Sequence, residues 1–146
     1  MRTAHMGRDL PPQGSVIPYP YLWASQRDEG ETEGRKARPV CMVLRIRDPG
    51  SDTHHLVLLA ISSQPPRDDQ AALEIPDTER RRAGLGRYPK AWIVVSEFNY
   101  DIAERSFYYE PNTPPLGAFS APFLKEVANA LRSNLSKAAA RVNRTL

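Results

Sequence analysis

The chain has 146 residues, a formal charge of +3 and a pI of about 9.2, which suits one domain with a single modest core and permits an anionic partner without demanding one. A single cysteine, Cys41, excludes an internal disulfide and any cysteine-based metal cluster. No stretch approaches the ~20 apolar residues of a membrane span and the N-terminus lacks a signal-peptide core, so a cytoplasmic protein with no membrane contact is expected.

Residues 1–13 are polar, end in Pro11-Pro12 and are expected to form a flexible arm. Gly14 opens a first strand, Ser15 to Trp23, rich in Val, Ile, Tyr and Trp but broken by Pro18 and Pro20. Proline cannot donate to a ladder, so this strand belongs at an edge or carries a bulge. Tyr19, Tyr21 and Trp23 recur at period two and are expected on one face. That face either fills a barrel interior or stacks on nucleobases; burial is the commoner fate for Trp23, and both remain open for the tyrosines.

A charged loop, Ser25 to Arg38, follows with acids first and bases (Arg35, Lys36, Arg38) last. Pro39 stiffens its end and the chain drops into the apolar run Val40 to Ile46, a strand with little exposed face. Arg38 therefore stands as a cation at the mouth of a buried strand. That placement suits a group that meets a phosphate, although on spacing alone an arginine there more often pairs with a carboxylate. Asp48-Pro49-Gly50-Ser51-Asp52 is a turn. A third strand from His55 to Ile61 delivers the Ser62 hydroxyl to the surface, where it either caps the strand end or acts on a ligand. His54 and His55, adjacent in sequence, point to opposite faces and do not chelate one metal together.

Ala72 to Ile75 reads as a short strand and Asp77 to Arg82 as a helical turn ended by Gly84, with Arg80-Arg81-Arg82 as a solvated basic cluster. Ala91 to Phe98 reads as a strong strand with Trp92-Ile93-Val94-Val95 in the core and Glu97 on its exit. Ser106 to Tyr109 reads as a weak strand. The one convincing helix starts after Ser120, with Pro122 tolerated in its first turn. Phe123, Leu124, Val127, Ala128, Leu131 and Leu135 form its apolar stripe. Residues 136–146 read as a basic, frayed tail. There is no P-loop, no dinucleotide Gly loop, no HExxH, no GxSxG elbow and no zinc spacing, which disfavours cofactor and metal chemistry.

The order of these features resembles the PemK/MazF family of toxin endoribonucleases. The resemblance runs from Gly14 to about Leu131. Gly14-Ser15-Val16-Ile17 is similar to the family's opening strand, with Ser15 where an acid is usual. Gly34-Arg35-Lys36-Ala37-Arg38-Pro39-Val40 resembles its Gly-x-Arg-Pro loop. Ala60-Ile61-Ser62-Ser63 is similar to its Ile-Thr-Ser strand end, with serine in place of threonine. Glu74-Ile75-Pro76, Gly84-Leu85, Trp92 to Glu97 and Leu116-Gly117 follow in the family's order.

The resemblance implies a mainly β domain over residues 14–135, a small SH3-like barrel of the kind shared with the gyrase-poisoning toxins, carrying a C-terminal helix. It implies an endoribonuclease of a toxin–antitoxin system that cleaves single-stranded RNA without a metal or other cofactor, as a homodimer restrained by an antitoxin. Arg38 and Ser62 would be catalytic. Arg35, Lys36, Tyr19, Tyr21, Ser63 and Glu97 would bind RNA. An alternative from another class is a non-catalytic SH3-like module binding a protein or nucleic acid; a gyrase poison is a weaker third reading.

Overall fold

A computed structural model describes residues 10–28, 30, 36–110, 112–135 and 141–145. Its centre is an antiparallel pair. Strand β2 (Arg38–Asp48) runs against β3 (Thr53–Ser62), with Val40 opposite Ala60 and Cys41 opposite Leu59. β3 and the first half of β2, Val40 to Val43, bury side chains on both faces, which explains their hydrophobic runs, whereas Leu44 and Ile46, expected in a strand with little exposed face, are exposed. Cys41, Val43, Leu59 and Ile61 point into one core. Val40, Met42, Leu56, Leu58 and Ala60 point into a second, on the opposite side of the sheet. Burial pushes the Cys41 thiol up to about 12, so it serves as a small hydrophobe.

The other strands are set by these two. β1 (Ser15–Tyr19) pairs antiparallel with the start of β2, Tyr19 opposite Arg38, and β7 (Gly117–Ala118) pairs outside β1. The far edge of β3 is shared. Its first half, His55 to Leu58, pairs with β6 (Phe98–Ile102). Its end, Ile61 and Ser62, pairs with β5 (Trp92–Val94), which carries β4 (Ala72–Glu74). The sheet thus branches at the end of β3. Six of the eight strands follow an open path from β4 to β7, and β6 branches off β3 with β8 (Arg141–Asn143) beside it in the one parallel pair among the described residues. Mainly β with a C-terminal helix is the class expected from sequence.

Helix α1 (Ala24–Asp28) follows β1 and α2 (Asp77–Arg82) follows β4. The C-terminal helix α3 (Ala121–Asn134) is capped as its sequence predicts, with the Ser120 hydroxyl accepting from the Phe123 N–H at 3.3 Å. Glu79 of α2 supports the cap, accepting from the Ser120 hydroxyl at 2.6 Å and from its backbone N–H at 2.9 Å. Phe123, Val127 and Leu131 are buried in the first core, while Leu135, expected on the same stripe, lies past the helix end and is exposed.

Several other expectations are corrected. The run from Ala91 to Phe98 is two short strands, because Val95 to Glu97 turns away from β5 to reach the other half of β3. No strand forms over Ser106 to Tyr109. The C-terminal stretch is not frayed where described: β8 buries Val142, and Arg144 is buried beyond it. The Arg144 guanidinium donates to the Pro20 carbonyl at 2.7 Å and to Asn99 Oδ1 at 3.2 Å, and lies over the Tyr108 ring at 3.9 Å. No helix among the described residues is long and apolar enough to cross a membrane.

Candidate functional site

The β2–β3 register, carried two residues beyond Val40 and Ala60, brings Arg38 opposite Ser62 where the sheet branches. Both side chains line two adjoining cavities, one of about 370 Å³ and one of about 390 Å³, so they form the ridge of a single two-lobed cleft. Ser62 also faces Trp92 across to β5, and its hydroxyl oxygen accepts the Gln64 backbone N–H at 3.0 Å. With one lone pair used in that turn, its proton is free to donate into the cleft.

Arg38 lies over the Trp23 ring, its guanidinium carbon 5.2 Å from the centroid. Its Nε is buried without a hydrogen-bond partner, and no acidic side chain pairs with it among the described residues. The carboxylate partner that spacing alone favours is therefore not found among the described residues. A cation stacked on an aromatic face keeps its N–H donors for something else.

The lobes differ in chemistry. The first is walled by Trp23, Trp92, Pro65 and Pro66, with the side chains of Gln26, Gln70 and Arg67. The second carries Lys36, Ser63, Arg87 and Tyr88, with the Arg87 guanidinium 5.1 Å from the Tyr88 ring centroid. None of the described residues lining either lobe is acidic. Lys36, Arg38, Arg67 and Arg87 thus surround a cavity with no carboxylate among the described residues of its walls, Arg67 pairing outside it with the exposed Asp69 at 3.3 Å. Such a field attracts an anion and raises its local concentration.

Support for the second lobe comes from α2. Arg80 is not solvated, as its place in a basic run suggests; it folds inward and donates to the carbonyls of Gly86 and Tyr88, bracing the loop that presents Arg87 and Tyr88. That loop starts from a tight helix end. Gly84, at φ +77°, donates to the Arg81 carbonyl and Leu85 to the Arg80 carbonyl, the paired bonds of a Schellman cap.

Of the residues expected to act, Arg38, Ser62, Ser63 and Lys36 are brought together at the cleft. Arg35 lies outside the described residues. Tyr19, Tyr21 and Glu97 are corrections. Tyr19 and Tyr21 are buried, their hydroxyls donating to Asp101 at 2.7 Å and Glu97 at 3.1 Å, and no ring face is left for a base. Glu97 is buried too, accepting from the Tyr21 hydroxyl and, at 2.9 Å, from the Ala24 N–H at the start of α1. Burial raises its carboxyl above the ordinary range despite those donors.

The tyrosines and Trp23 separate because the strand ends at Tyr19. Pro20 and a Tyr21 N–H to Tyr19 carbonyl bond at 2.9 Å turn the chain, so period two no longer applies and the half-buried Trp23 swings to the cleft. Sequence reasoning favoured burial for Trp23 and the core for Trp92, both of which are half-buried on the cleft wall, and missed Gln26, Gln70, Arg67, Arg87 and Tyr88. For Trp92 alone a signal existed, since it is the first residue of a strand next to the strand end that carries Ser62.

The fold and cleft together define a small, mainly β protein with a cationic, partly aromatic cavity at a sheet branch. Comparison with protein-family models gives no match, and comparisons with curated proteins and with solved structures give no significant one. The likeness to PemK/MazF toxins rests on the ordered residues of the chain itself.

Proposed function

We propose that the chain is a metal-independent endoribonuclease of the PemK/MazF type, acting on single-stranded RNA as a homodimer under the control of an antitoxin, and that its branched sheet is an SH3-like variant. One observation carries this reading: the Arg38 guanidinium, unpaired by any described acid, stands across from the Ser62 hydroxyl in a cleft with no described carboxylate on its walls. The ribose 2′-hydroxyl gives its proton to solvent water as its oxygen attacks its own phosphodiester, the P–O5′ bond breaks, and the departing oxygen takes a proton from solvent water to leave as a 5′-hydroxyl. A 2′,3′-cyclic phosphate remains. Negative charge builds on the non-bridging oxygens in between, and preorganised donors stabilise it. Arg38 and the Ser62 hydroxyl supply those donors. Arginine stays protonated, so Arg38 stabilises charge and does not abstract the proton. Lys36, Arg67 and Arg87 contribute backbone contacts that are blind to sequence and weaken with salt.

A second reading is a non-catalytic RNA-binding module. It is favoured by the walls themselves, which carry no histidine and no carboxylate among the described residues to take a proton near neutral pH. Incubation of a long single-stranded RNA with the protein in excess EDTA separates the two. Discrete cuts, slowed about 10²–10³-fold by Arg38→Ala as for loss of one preorganised donor and slowed also by Ser62→Ala, support the nuclease. Binding that depends on Arg38 without cuts supports the module.

A further inference from the structure

Resting on the reading of the cleft as an RNA site, we infer that its aromatic lobe is a base pocket that selects keto bases, guanine and uracil, over amino bases, adenine and cytosine. The half-buried Trp23 and Trp92 give the lobe an aromatic wall suited to an unstacked base, Trp92 with its own ring and Trp23 with Arg38 lying over one of its faces. Two half-buried glutamines supply its polar edge, and their amide orientation is fixed by the backbone. Gln26 Oε1 accepts the Trp23 N–H at 3.0 Å, and Gln70 Oε1 accepts the Arg67 N–H at 3.1 Å. A backbone N–H can only donate, so the oxygen of each amide is committed to the wall. Each –NH₂ group remains as the part available to a ligand.

The other half-buried groups at the lobe agree in sign. The Ser62 oxygen is occupied by the Gln64 N–H, leaving a hydroxyl donor. The Arg38 guanidinium and the two indole N–H groups donate and cannot accept. Among the described polar side chains lining the lobe only the exposed Ser25 and Gln64 retain an oxygen able to accept, and half-buried donors pair with a base edge that presents acceptors. Guanine offers O6 and N7, and uracil offers its carbonyl oxygens. The exocyclic amino groups of adenine and cytosine would meet these donors head on, leaving both sides unpaired, which is the stronger form of discrimination.

The test uses bases that differ only at this group. Short single-stranded RNAs of one fixed context carry either adenosine or inosine, and either cytidine or uridine, at one position, and their affinities for the intact protein are measured at one salt concentration. The keto member of each pair is expected to bind about tenfold or more tightly, in keeping with a donor left unpaired by the amino member. In Gln26→Glu and Gln70→Glu the oxygen that accepts the wall N–H is kept and the outward donor becomes an acceptor. The keto preference is then expected to shrink or reverse. General weakening by the added charge leaves that ratio untouched, so it is not mistaken for the effect. RNA bound or cut with equal affinity for both members, or a preference that survives both substitutions, overturns the base pocket and leaves the nuclease reading standing. No RNA bound at all overturns both.

Discussion

Three arginines show how far context decides a side chain's role. Arg38, Arg80 and Arg144 share one chemistry, yet only Arg38 keeps its donors facing a cavity. Arg80 braces a loop through two carbonyls, and Arg144 fills the space between Tyr108 and the Pro20 carbonyl. Sequence spacing placed Arg38 well because Pro39 and the apolar run after it fix its position. It misplaced Arg80 because a three-arginine run on a short helix gives no hint of which member turns inward. The buried acids give a prediction at the same scale. Glu97 and Asp101 are both held above the ordinary carboxylate range, chiefly by burial. A group whose folded pKa is raised contributes stability that is complete below its unfolded range and is lost as pH rises through the folded value. Urea unfolding is therefore expected to show stability falling from mildly acidic to neutral pH. Glu97→Gln keeps an acceptor for the Tyr21 hydroxyl and the Ala24 N–H and should flatten that fall, with Asp101 supplying the remainder. A variant that retains the full pH slope would contradict this assignment.

At the scale of elements, the sequence was most legible where one rule acted alone. The cap and buried stripe of α3, the two-faced β2 and β3, and the α2 stop at Gly84 all follow from local patterns. Legibility failed where the chain changes partner. Val95 to Glu97 gives no signal that β5 ends and β6 begins, and Pro20 breaks a periodicity that reads as continuous through Trp23. The paired turn at α2 offers a clean check. A Cβ on Gly84 would sit 2.2 Å from the Leu116 carbonyl oxygen, at a φ of +77° that other residues rarely adopt, whereas Gly86 has open space around its Cβ position. Gly84→Ala is expected to cost about 1–3 kcal/mol or more and to lower the melting midpoint by several degrees. Gly86→Ala should leave it nearly unchanged. Equal midpoints for the two variants would mean that the Gly84 turn does not lie against Leu116 as the structure places it.

At the scale of the molecule, the cleft exists because β3 serves two partners on one edge. Its end leaves β6 and joins β5, so Ser62 faces Trp92 while Arg38 arrives from β2 on the other side. The Trp23 wall is held from behind by distant parts of the chain. Asn99 accepts from the Leu22 N–H and donates to the Leu22 carbonyl, while Arg144 donates to Pro20 and Arg27 donates to the Arg141 carbonyl. None of these links is visible in the sequence, because each joins residues separated by more than seventy positions, and those of Arg144 and Arg141 depend on a terminal stretch that reads as loose. They are also why the aromatic lobe was missed while the Arg38–Ser62 ridge was found: the ridge comes from two adjacent strands, and the lobe from the closure of the whole fold.

The central claim, that Arg38 and Ser62 stabilise a phosphodiester under attack by its own 2′-hydroxyl, is tested most directly with a DNA oligonucleotide carrying a single ribonucleotide, incubated in EDTA with wild type and Arg38→Ala. With uridine or guanosine as the ribonucleotide, wild type is expected to cut only at that residue and leave a 2′,3′-cyclic phosphate. The all-DNA strand should stay intact, and Arg38→Ala should cut about 10²–10³-fold more slowly. Equal cleavage by the two proteins, or cleavage of the all-DNA strand, would contradict the assignment.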